Sequence, residues 1–168
     1  MTRAYAEGTS VTVEKTRSEI DTLLGKHGAS QRGVMTDDAG RAVVAFVIGG
    51  RHYRLDVPMP NPGDFPDPKK RGWETTLDTP RGWDGWGSER RAQWVRVEMD
   101  QRCRERWRAV LLMLKAKLEL VRLGISTVER EFLADLVLPS GKTVAATLEA
   151  QIVNVMRGEM PRLLPEAT

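Results

Sequence analysis

The sequence predicts an α+β fold: an N-terminal helix, a three-stranded antiparallel meander, a long central helix packed across it, and a small C-terminal helical unit. Three observations carry this expectation. Ser88 to Gly124 is free of Pro and of internal Gly, and is built from Arg, Leu, Glu, Ala, Met and Lys, all strong helix formers. Residues 41–57 join a β-branched run to a cleanly alternating one through Gly49-Gly50. Pro and Gly punctuate residues 58–87 throughout, which separates the sheet region from the long helix. A length of 168 residues suits one domain with a real core, within which 58–87 is a Pro/Gly/Trp-rich loop and 125–168 a C-terminal helical subunit.

In chain order, residues 1–11 read as a loosely held arm. Val13 to Lys26 is the first helix, with Thr12 as N-cap, Ile20, Leu23 and Leu24 as its apolar edge, and Gly28 as the stop. Gln31 to Met35 reads as a strand, followed by a turn at Asp37-Asp38-Ala39-Gly40. Arg41 to Ile48 and Arg51 to Val57 follow as a hairpin. In the second of these, Tyr53, Leu55 and Val57 point one way and His52, Arg54 and Asp56 the other. Whether Arg51 or Arg54 lies on the outward side depends on a register that sequence does not fix.

In the long helix, Ala92, Val95, Met99, Cys103, Trp107, Val110, Leu114, Leu118 and Val121 recur at steps of three or four, forming a broad apolar stripe. Ala109 to Leu123 is apolar nearly all round, interrupted only by Lys115, Lys117, Glu119 and Arg122, so it belongs in a core or a subunit interface and is the route open to a homo-oligomer. It falls short of the roughly 20 apolar residues of a membrane span, and no membrane association is expected. Arg104, Arg108, Lys115 and Arg122 share a sector opposite the stripe. They read either as a cationic ridge for phosphates or as a solvated face partly neutralised by Glu98, Glu105 and Glu119. Beyond Gly124, Ser126 and Glu129 have capping-box spacing ahead of a short helix to Leu136. Residues 137–144 read as a turn or small hairpin, and Thr143 to Arg157 as a last helix ended by Gly158.

Net charge of +3 and a pI near 9.2 are mildly basic, compatible with nucleic acid but without a histone-like excess. The single cysteine, Cys103, excludes an internal disulfide framework, fits a reducing cytoplasm, and lies on the apolar stripe as a buried, inert thiol. The first residues lack the apolar segment of a signal peptide.

Searches for chemistry return little. Gly141-Lys142-Thr143 ends like a phosphate-binding loop, but the glycine required five residues earlier is Leu136. Two distant histidines and one cysteine make neither a zinc site nor a nucleophilic triad, so no metal or other cofactor is expected. Asp64 and Asp67 near Lys69 and Lys70 faintly suggest a nuclease cluster, yet Asp in a Pro-rich loop is ordinary turn chemistry, and no catalytic residue is assigned. The loop is more telling. Trp73, Trp83 and Trp86 are interleaved with Lys69, Lys70, Arg71 and Arg81, a composition able to stack on unpaired bases while cations follow the phosphates. The plainer reading folds those indoles back over the sheet or the long helix.

The segments YAEGTSVTVEKTRSEIDTLLGKHGA, RERWRAVLLMLKAKLELVRLGIST and EREFLADLVLPSGKTV resemble a family of small uncharacterised proteins of tailed bacteriophages and prophages. The resemblance covers most of the chain outside 58–87 and transfers no site residue. It implies a bacterial cytoplasm during infection and a role in DNA metabolism or host takeover. The order of meander then long helix also resembles the core of single-strand annealing proteins, at the level of fold alone. The function expected is a non-enzymatic nucleic-acid-binding accessory protein of phage DNA replication or recombination, with single-stranded DNA the form anticipated. Phosphate contacts are assigned to Arg51, Arg54, Lys69, Lys70, Arg71, Arg104 and Arg108, and base stacking to Trp73, Trp83 and Trp86. The alternative is a protein-interaction module: a host-protein inhibitor or adaptor, or an oligomeric scaffold.

Overall fold

Thr12 starts the first helix by accepting a hydrogen bond on its Oγ1 from Lys15 N at 3.2 Å, which satisfies one of the orphan amides of the first turn. Helix α1 (Val13–Lys26) then runs to His27, and Gly28 takes the left-handed conformation at φ +78° that ends it. The computed structural model describes residues 6–36, 41–65 and 85–156; at 150 and 152–156 it describes the helical backbone alone.

Three strands follow: β1 (Ser30–Thr36), β2 (Ala42–Ile48) and β3 (Arg51–Val57), an antiparallel sheet in the order β1-β2-β3. Gly49 and Gly50, at φ +58° and +75°, supply the two positive-φ positions of a tight hairpin, and this turn sets the register Phe46↔Tyr53 and Val44↔Leu55. The same register resolves the ambiguity left by the sequence. Arg54 lies on the open face with His52 and Asp56, whereas Arg51 shares the parity of Tyr53, Leu55 and Val57. Beside the edge strand, Arg17 of α1 donates to the carbonyl of Val34 at 2.9 Å, covering one group a foreign strand would seek.

One sheet face is the core. Ala42, Val44 and Phe46 of β2 and Tyr53, Leu55 and Val57 of β3 meet Ile20 and Leu24 of α1 and four residues of the long helix α2 (Ser88–Arg122). Those four are Trp107, Leu111, Leu114 and Leu118. The buried stripe is thus shorter than the periodicity predicts and centred on Leu111 rather than Val110. Ala92 is exposed, and Val95, Met99 and Cys103 are half-buried. The physical reason is length. At 1.5 Å per residue, the 35 residues of α2 reach about 52 Å, far beyond the seven-residue strands they cross. The N-terminal half of the helix is covered instead by the segment after β3. There Phe65 is buried edge-on against Trp94, their centroids 5.9 Å apart, and Arg106 bonds to the Pro58 carbonyl.

Gly124, at φ +68°, ends α2. Ile125 N donates to Leu120 O and Gly124 N to Val121 O, each at 3.0 Å. The next N-cap is Thr127, not Ser126: its Oγ1 accepts from Arg130 N at 3.3 Å, and α3 (Val128–Glu131) is a single turn continued by a 3-10 turn at Leu133–Asp135. Residues 136–144 make the small hairpin. Val137 and Thr143 pair, and Val137 N donates to His52 O at 2.8 Å, laying the hairpin against β3. Helix α4 (Val144–Met156) is capped by Thr143 Oγ1 through Ala146 N at 3.2 Å. Phe132, fully buried, ties this C-terminal unit to the sheet, with ring centroids 5.4 Å from Phe46 and 5.8 Å from Tyr53.

Candidate nucleic-acid interface

Helices α1 and α2 lie side by side and run in the same direction. Gly8 N bonds to Glu105 Oε1 at 2.8 Å, Arg17 sits 5.5 Å from the Trp107 ring, and Arg108 pairs with Glu19 at 2.7 Å. Their apolar edges face the sheet, so their polar faces meet along the outside of the molecule. On α1, Lys15, Ser18, Thr22 and Lys26 recur at helical spacing on that outer face. On α2, Lys115 does the same. Together with Glu19 and Leu23 they line an open groove of about 450 Å³.

Arg108 spends its charge on Glu19, but Lys15, Lys26 and Lys115 are exposed and have no carboxylate partner among the described residues. The groove lining therefore carries Lys15, Lys26 and Lys115 with Glu19, whose carboxylate is bound by Arg108. Arg104 flanks one end, held by Gln101 Oε1 at 2.8 Å, and Gln101 is itself anchored to Thr9 O at 3.2 Å. Arg122 lies beyond the other end, bonded to Glu119 at 2.8 Å. That contact holds the Glu119 carboxyl below its usual pKa and raises the guanidinium's. Of the two readings of this sector, the partly neutralised face holds for Arg108 and Arg122, paired with Glu19 and Glu119, while Lys115 has no carboxylate partner among the described residues.

The remaining assigned residues do not join this surface. Arg51 pairs with Glu129 of α3, fastening the C-terminal unit to β3. Arg54 lies on the open sheet face, shared between Asp56 at 3.6 Å and the Gly141 carbonyl at 3.2 Å. It lines a larger cavity of about 820 Å³ with Met35, Val43 and Pro58 to Asn61, but its charge is already engaged there. Trp86 stands ahead of α2, half-buried, with the Arg90 guanidinium 3.9 Å over its ring. Lys69, Lys70, Arg71, Trp73 and Trp83 lie outside the described residues, so the expected pairing of loop indoles and loop cations is not part of the described surface.

Two further expectations meet the structure directly. Asp64 caps a 3-10 turn, accepting from Asn61 N and Nδ2 at 2.9 Å each, which is the turn chemistry its Pro-rich context predicts. Cys103 is half-buried rather than buried, and its thiol pKa is pushed up, first by desolvation and then by Asp100. Among the described residues no group of His, Cys, Asp and Glu could hold a metal ion, and no helix is long and apolar enough to cross a membrane.

Lys15 and Lys26 are the binding candidates that the sequence reading missed. Their signal was present as the polar face of α1, but its significance depends on α2 bringing Lys115 opposite. Comparison with family models, with curated proteins and with solved structures yields no match.

Proposed function

We propose that this chain is a non-enzymatic nucleic-acid-binding protein whose phosphate-contacting surface is the α1/α2 groove. The observation that carries the reading is that Lys15, Lys26 and Lys115 line one groove with no carboxylate partner among the described residues. Free ammonium groups release counterions from a polyanion, whereas cations already paired, such as Arg51 and Arg54, contribute little. Ser18 adds a hydroxyl on the groove wall that can donate to phosphate oxygens, whereas the Thr22 hydroxyl already donates to the Ser18 carbonyl at 2.9 Å. The groove reads charge rather than base identity, which suits an accessory role over sequence-specific regulation. The extended resemblance to phage and prophage proteins supports placing that role in phage DNA replication or recombination, inside an infected bacterium.

The test is a fluorescence titration with a single-stranded oligonucleotide at low and at high salt. Binding at low salt that weakens steeply as salt rises is expected. Absence of affinity at low salt removes the proposal.

A further inference from the structure

The N-terminal end of α2 carries a cation stacked on an aromatic ring. The Arg90 guanidinium lies 3.9 Å over the Trp86 indole. Arg90 is exposed and has no carboxylate partner among the described residues. The indole therefore takes one face of the planar group and leaves the other to solvent.

The helix links this pair to the Lys115 groove. Arg108 follows Arg90 by 18 residues, about five whole turns, and Lys115 follows by 25, so the three point within about 20° of one another. Between Arg90 and Lys115, within about 40° of that direction, α2 places Arg104, Gln101 and the exposed Val97, and no Asp or Glu. Arg104 is oriented by Gln101, a neutral acceptor, and so keeps its charge. The flanking carboxylate, Glu105, is turned to the Gly8 amide at 2.8 Å and to Gln101 at 2.9 Å.

We infer that a single strand held in the α1/α2 groove continues along this face of α2, about 37 Å from Lys115 to Arg90, and that one of its bases stacks on the open face of the Arg90 guanidinium. The inference rests on the phosphate-binding reading of the groove and narrows its ligand to an unpaired strand. A base within a duplex is already stacked on both sides and offers no free face, whereas a splayed base can lie on a guanidinium plane. Arg104, roughly midway, meets the backbone between the two ends. At the 3.4 Å per nucleotide of a B-form strand the track covers about 11 nucleotides, and fewer if the strand is stretched.

The test compares wild type with Arg90→Lys, which keeps the charge and removes the plane. Fluorescence anisotropy measures both proteins against a labelled 12-nucleotide oligothymidine and against a strand of the same length made of abasic sites, at two salt concentrations. Arg90→Lys, at an exposed position, should keep the wild-type circular dichroism spectrum. It should bind oligothymidine about fivefold or more weakly, with an unchanged salt slope, and bind the abasic strand as wild type does. Equal affinity of the two proteins for oligothymidine, or an equal loss on the abasic strand, overturns the stacking inference and leaves the groove in place. Absence of any wild-type binding overturns both.

Discussion

Replacing Phe132 with Ala should detach the C-terminal unit from the domain. Phe132 is the one residue beyond α2 whose ring enters the core. It is 0% exposed, edge-on to Phe46 at 5.4 Å, tilted against Tyr53 at 5.8 Å, and covered by the Lys117 ammonium 4.8 Å from its centre. Truncating a fully buried Phe removes its transfer free energy and leaves a cavity, together about 3–5 kcal/mol. For a domain of this size each kcal/mol lowers Tm by roughly 2–4 °C, so the expected fall is on the order of 6–20 °C. Denaturant unfolding followed by circular dichroism measures the first figure and a thermal scan the second. Amide exchange adds location: protection at Val137 and Val144, whose amides donate to His52 and Leu136, should drop more than protection in β2. A loss below about 1 kcal/mol would refute the packing argument, because it would mean that the ring trio is not a shared core.

Other outcomes follow from single observations. Gly124→Ala places a Cβ at φ +68° and should cost about 1–2 kcal/mol, read by urea denaturation. Thr12→Ala removes the α1 cap and should cost about 1 kcal/mol in the same assay. Burial raises the Asp135 carboxyl above its usual 3.8, opposed by Lys117. Between 3.8 and the raised value the folded chain binds more protons than the unfolded one, so this group's contribution to stability falls as pH rises through that window. Asp135→Asn should lack that decline, and Lys117→Ala should push the Asp135 titration higher still by carboxyl NMR. Cys103, with its thiol pKa raised, should react with iodoacetamide more slowly at neutral pH than an unhindered thiol, and should speed up only at higher pH.

Local chemistry made much of this fold legible in the sequence. Thr12 and Gly28 bracket α1 because capping is decided within a few residues, and Gly49-Gly50 specifies its turn by the same kind of short-range rule. Alternation placed Tyr53, Leu55 and Val57 inward, but the face of Arg51 required the register, a property of two strands together. The same limit explains the long helix. Its period announced an apolar stripe, yet where burial begins depends on how far the sheet extends, and it begins at Trp107. The site was less legible because charge is seen in sequence and pairing is not. Arg51, Arg54 and Arg108 looked available, and Glu129, Asp56 and Glu19 take them up from distant or alternate positions. Lys15 and Lys26 looked ordinary until Lys115 stood across the groove.

The most direct measurement is the slope of log affinity against log salt for a single-stranded oligonucleotide, comparing wild type with the Lys15→Ala, Lys26→Ala, Lys115→Ala triple variant. If each lysine neutralises one phosphate, at about 0.7 per contact on a single strand, the magnitude of the slope should shrink by roughly 2. An unchanged slope and affinity in the folded triple variant would contradict the assignment of phosphate contact to the α1/α2 groove.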